Sequence, residues 1–168
     1  MSLAVLEIED WILETDIPVT MEHSAAIARD HCTCGYCQNF YQAIDAFFPN
    51  LRCFLAQFGI DPEGPDELLP FEPTLLLASY AVSGRILRRG KLPVYVDGIP
   101  VLMESGKRSE VISGCPEPYF VLTIGEFELP WILEEDMNEV ISPANDPECL
   151  ERIYNRWLLR QNNNSLYS

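Results

Sequence analysis

Leu6-Glu7-Ile8-Glu9 alternates apolar and charged positions, and Trp11-Ile12-Leu13-Glu14 follows across a short acidic break. A period of two sends successive side chains to opposite faces, so this opening predicts one or two β-strands. A helix is expected from Val19 to Asp30, with Thr20 as its cap and a cysteine-rich turn at its end. From Tyr36 the period becomes helical. Cys37, Phe40, Tyr41, Ile44, Phe47 and Phe48 recur at i, i+3 and i+4, while Gln38, Asn39, Gln42 and Asp45 take the opposite side, predicting a helix to Phe48. Pro49 interrupts it. Leu51, Phe54, Leu55 and Phe58 form a second stripe over Asn50 to Phe58, and Gly59 stands where a left-handed helix cap is needed, with Ile60 set for the accompanying apolar contact. Asp61 to Phe71 holds Pro62, Gly64, Pro65 and Pro70 and reads as a loop.

The second half changes period. Asp97-Gly98 between Tyr95-Val96 and Ile99 is a hairpin signal, because a type I′ turn needs positive φ at both central residues. Ser105-Gly106-Lys107 supplies another reversal, and Tyr119 to Glu128 is a strand rich in Phe, Val, Leu, Thr and Ile, giving an antiparallel meander over Pro93 to Glu128. Pro100 places its strand at an edge or turns its missing N–H outward. Leu75 to Arg89 carries both helix and strand signals and is read as strands, with Ser83-Gly84 suiting a hairpin between them. Asp146-Pro147 opens a C-terminal helix with the stripe Leu150, Ile153, Tyr154, Trp157 and Leu158, and a polar tail at 161–168 is expected to be disordered. Strands, then helices, then strands without regular alternation give an α+β fold. The expectation is an antiparallel β-meander sheet of about five to seven strands, two or three helices on one face and a C-terminal helix, all in a single domain spanning 1–160.

A chain of 168 residues buries enough surface to fold without a disulfide scaffold. Its 26 Asp and Glu against 11 Lys and Arg give a net charge of −15. Such a field repels nucleic acid and anionic headgroups, so neither nucleic acid nor a membrane is expected as partner. Arg85, Arg88, Arg89 and Lys91 are the one basic segment. The N-terminus lacks the basic and apolar regions of a secretory signal and no apolar run approaches a membrane span, which points to the cytoplasm. Thiols stay reduced there, so clustered cysteines read as a metal or redox site rather than a staple.

That cluster is His31-Cys32-Thr33-Cys34-Gly35-Tyr36-Cys37. Zinc takes thiolates and imidazole in a tetrahedral shell, and a tight turn can deliver Cys32, Cys34 and Cys37 together with His31. His23 or Cys53 is the alternative fourth ligand. Two other readings stand beside zinc. Cys34 and Cys37 form a Cys-x-x-Cys at a helix N-terminus, the placing that activates a thiol in dithiol redox proteins. Alternatively, the cysteines are small core residues and no cofactor is bound. No nucleophile elbow, phosphate loop or EF-hand spacing is present, which favours a non-enzymatic binding or adaptor protein with a protein partner over an enzyme. A deep pocket holding two carboxylates, or a histidine with a carboxylate partner, is the observation that reverses this preference. The apolar stripe of the C-terminal helix leaves two states open, a monomer or a weak homo-oligomer joined through that helix.

Cys32-x-Cys34-x-x-Cys37-x-Asn39-Phe40, Phe58-Gly59-Ile60-Asp61-Pro62 with Pro65 and Glu67, Phe127-Glu128-Leu129-Pro130-Trp131, and Trp11 in an acidic opening strand occur together in this chain. In this combination the sequence resembles a family of small acidic bacterial proteins of uncharacterised function, over about residues 6 to 135. The resemblance implies a similar fold with the cysteine turn at a comparable place, and it transfers no catalytic role.

Overall fold

In the computed structural model, residues 2–70, 74–109, 111 and 113–136 are described. The C-terminal helix and the 161–168 tail expected from sequence lie outside these residues. The described part is an α+β fold of seven antiparallel strands and three helices. Strands β1 (Leu3–Ile8) and β2 (Trp11–Asp16) form a hairpin, followed by α1 (Ile17–Arg29), α2 (Gly35–Phe47) and α3 (Pro49–Ala56). Then come β3 (Glu67–Pro70), β4 (Leu75–Arg88), β5 (Val94–Val96), β6 (Ile99–Ser105) and β7 (Tyr119–Glu128). The sheet order is β1-β2-β4-β7-β6-β5, with β3 also paired to β4.

Local chemistry accounts for most boundaries. The β5–β6 hairpin closes at Val96 and Ile99 around Asp97 and Gly98, whose φ values of 51° and 78° are those the Asp-Gly pair favours. Pro100 lies in β6, which has neighbours on both sides, but the ladder to β7 begins only at Val101. Helix α1 starts two residues before the expected point. Asp16, not Thr20, is the cap: its carboxylate accepts from the Val19 amide at 3.2 Å, and Pro18 occupies the first turn. The Thr20 hydroxyl donates to the Asp16 carbonyl at 2.9 Å and accepts from the Ser83 amide at 3.0 Å.

Two sequence expectations are corrected. The stretch around Ser83-Gly84 is not a hairpin, because β4 runs through it as one 14-residue strand. Leu75–Ser83 pair with β7, and Gly84–Arg88 pair with β2 on the opposite edge. Gly84 marks the changeover, at φ 142° and so close to β2 that a Cβ there would lie 1.9 Å from the Glu14 carbonyl oxygen. The supposed loop from Asp61 to Phe71 contains β3, whose Glu67–Pro70 pair with Ser79–Leu76 of β4. Its prolines fall beside and at the end of this short strand, where a missing N–H is tolerated.

A single apolar core joins the sheet to the helices. Phe48 meets Phe127 and Phe58 meets Phe120, both edge to face, while Tyr80, Leu122 and Ile124 are fully buried beneath. Burying a side chain of this size stabilises by roughly 1.5–3 kcal/mol. Asn39 of α2 donates to the Pro130 carbonyl at 3.1 Å and accepts from the Ile132 amide at 2.8 Å. The Cys-x-Asn-Phe and Leu-Pro-Trp motifs are therefore neighbours in space. No described helix is long and apolar enough to cross a membrane.

Candidate metal centre

Helix α1 closes at Asp30, whose amide donates to the Ile27 carbonyl, and α2 begins at Gly35. Four residues, 31 to 34, connect the two helices; Cys34 is buried, His31 and Cys32 are half-buried and Thr33 is exposed. Cys34 is the N-cap of α2, and its sulfur accepts from the Cys37 amide at 3.5 Å. Gln38 fixes the turn from the other side by donating through Nε2 to the Cys32 carbonyl at 3.3 Å.

These constraints bring the sulfurs of Cys32, Cys34 and Cys37 within 4.8 Å of one another. Sulfurs sharing one tetrahedral zinc at bonds of about 2.3 Å stand about 3.8 Å apart, so rotamer-scale contraction closes the difference. Cys34 is buried and the other two are half-buried. The Cys37 thiol is held well above its usual pKa, first by its hydrogen bond with Cys34 and then by burial; burial also raises that of Cys32. The phenols of Tyr36 and Tyr41 are likewise shifted up by burial and by the neighbouring thiols.

Of the three candidate fourth ligands, none belongs to this sulfur cluster among the described residues. His31 is the nearest in chain. Its ring stacks on Tyr41, with centroids 4.2 Å apart and planes 9° from parallel. Its Nδ1 is buried and has no hydrogen-bond partner among the described residues. Cys53 is exposed on α3. His23 is engaged elsewhere.

The partners of His23 were not legible in the sequence. Its Nε2 lies 2.8 Å from Asp66 Oδ1 and 3.2 Å from Ser113 Oγ, while Ser113 Oγ donates to the same Asp66 oxygen at 2.6 Å. Asp66 Oδ2 accepts from the Ala81 amide at 2.7 Å, and Ser113 Oγ accepts from the Cys115 amide at 3.1 Å. A histidine with a carboxylate partner is thus present, and proton bookkeeping decides what it can do. A carboxylate only accepts, so His23 Nε2 must carry a hydrogen to meet Asp66 at 2.8 Å. That nitrogen cannot then take a proton from Ser113. In a catalytic triad the histidine holds the carboxylate and the nucleophile on different nitrogens. Here both fall on one, and the cluster is a cross-brace.

Its structural purpose follows from the β4 edge. Between the ladder to β3, ending at Ser79, and the ladder to β2, starting at Gly84, the amides of Ala81 and Ser83 have no strand partner among the described residues. Asp66 and Thr20 accept from them. Buried amides left unsatisfied cost about 1–3 kcal/mol each.

Cys115, next to this brace, is buried, and burial together with the Asp66 carboxylate pushes its thiol up to about 12. Alkylation requires the thiolate, so in the folded protein at about pH 8 exposed Cys53 should react readily and Cys115 only after unfolding. The folded pKa lies above the ordinary value of 9.0, so this group stabilises the fold fully below that value and loses the contribution as pH rises toward about 12. Peptide mapping after timed alkylation reads both sites; equal rates at Cys53 and Cys115 would contradict the burial argument.

Compared with known proteins, the chain matches no family model, no curated protein and no solved structure.

Proposed function

We propose that this is a non-enzymatic, cytoplasmic binding protein whose α1–α2 corner is held by a zinc ion on Cys32, Cys34, Cys37 and His31, and which acts by docking a protein partner. The observation that carries the reading is the approach of three cysteine sulfurs to within 4.8 Å on a single turn. Three thiols so close would repel one another if ionised, and a divalent cation converts that repulsion into attraction. The unpartnered, buried Nδ1 of His31, one residue before Cys32, supports it as the fourth donor. Closed coordination by three sulfurs and one nitrogen leaves no open position for substrate, the arrangement of a structural site. A reducing compartment keeps the thiols available.

Cys34→Ser and His31→Ala provide the test. Both should lower zinc affinity at least about 100-fold, more than the 10- to 100-fold typical of outer-shell changes. Competition with a chromophoric chelator measures it. Unchanged affinity in Cys34→Ser removes the zinc reading, and unchanged affinity in His31→Ala alone reassigns the fourth ligand. A Cys34–Cys37 disulfide that forms and reduces reversibly, without bound metal, would establish the dithiol reading instead.

A further inference from the structure

β1 closes one end of the sheet and, among the described residues, pairs only with β2. Edge strands are normally blunted by proline, lysine, a bulge or shortness. β1 has no proline, lysine or bulge, and its one charged residue is Glu7. Its six residues, Leu-Ala-Val-Leu-Glu-Ile, keep an unbroken register with β2 from Leu3↔Asp16 to Ile8↔Trp11. Leu3 and Val5 are 51% and 60% exposed, and the inward Leu6 and Ile8 are only partly buried against the core. The core's rim is incomplete along this strand.

The two-residue turn at Glu9-Asp10 makes Ile8 and Trp11 a hydrogen-bonded pair. Alternation then sends the amides and carbonyls of Leu3, Val5 and Glu7 toward the open edge. We propose that this edge pairs with β1 of a second copy of the chain, antiparallel about Val5, joining two sheets into one.

The edge is its own complement. Centred on Val5, the pairing places Val5 opposite its symmetry mate and Leu3 opposite the mate of Glu7, so every outward donor meets an acceptor. Glu7 is the only charged residue in the strand, and the register separates the two copies of Glu7 by four residues, about 14 Å. That exceeds the Debye length of about 8 Å at physiological salt, so the local acids do not oppose pairing. What does oppose it is the net charge of −15 on each copy. The association is therefore expected to strengthen as salt rises, opposite to one built on interfacial ion pairs. With six residues a side the interface is small, and association in the micromolar range is expected.

Sedimentation of the full chain from about 5 to 200 μM should show a concentration-dependent doubling of mass, with several-fold tighter association at about 0.5 M than at about 0.05 M salt. Val5→Lys, at an exposed position, should remain folded by circular dichroism and sediment as a monomer throughout. A second reading does not depend on a variant: amide exchange over residues 1–8 should slow as concentration rises. A monomer over the whole range overturns the proposal, including the case where this segment is already protected at low concentration because part of the same chain covers it. So does a dimer that survives Val5→Lys, that salt weakens, or in which β1 exchange is unaffected by concentration.

Discussion

Asp66→Ala is expected to lower the stability of the fold by about 2–4 kcal/mol, because each buried donor that loses its acceptor costs about 1–3 kcal/mol. The Asp66 side chain is 4% exposed, and one carboxylate accepts from His23, Ser113 and the Ala81 amide. Removing it strands the buried Ala81 amide and leaves His23 and Ser113 only each other as partners. Total stabilities are commonly about 5–15 kcal/mol, so the loss is a large share of the whole. Asp66→Asn keeps the shape and one acceptor oxygen and should lose less. Denaturant unfolding of the three proteins settles the matter: a loss under about 1 kcal/mol for Asp66→Ala would mean that the cross-brace is not structural.

Gly84→Ala should be at least as severe, costing more than about 3 kcal/mol or preventing folding. Its φ of 142° is strained for any residue with a Cβ, and the Cβ would sit 1.9 Å from the Glu14 carbonyl oxygen, a backbone atom that cannot rotate aside. Relief would require separating β2 from β4 where β4 exchanges one neighbour for the other. Gly98→Ala is the contrast, since Gly98 also has positive φ but nothing lies within 4 Å of its would-be Cβ. It should cost only about 1–2 kcal/mol. Similar melting temperatures for the two variants would show that β2 can yield at this point.

Features set by near neighbours were legible in the sequence. The Asp97-Gly98 hairpin and the strand Tyr119–Glu128 each depend on residues within a few positions, and the structure has them. The α2 stripe holds at Phe40, Tyr41 and Ile44 but not throughout, since Phe47 is exposed and Asn39, expected on the polar side, is buried by its bonds to Pro130 and Ile132. The convergence of Cys32, Cys34 and Cys37 was legible because all three lie within six residues that span a short turn and the first turn of α2. β4 was harder because its pairing changes edge at Gly84, and a glycine required by close backbone approach looks like a turn glycine when only the sequence is read. β3 was hidden among prolines, and its strand character comes from β4 rather than from its own composition. The brace of His23, Asp66 and Ser113 could not be seen at all. Its members are 43 and 47 residues apart in sequence, and its carboxylate answers a gap between two ladders on β4 that only the assembled sheet creates.

The corner between α1 and α2 bears the functional reading, and native mass spectrometry of protein purified without chelator or affinity tag, paired with thiol titration, tests it most directly. A single zinc per chain is expected, with Cys32, Cys34 and Cys37 shielded from alkylation until the metal is withdrawn, while Cys53 reacts from the start. Substoichiometric zinc together with free reaction of Cys32, Cys34 and Cys37 in the folded chain would contradict it.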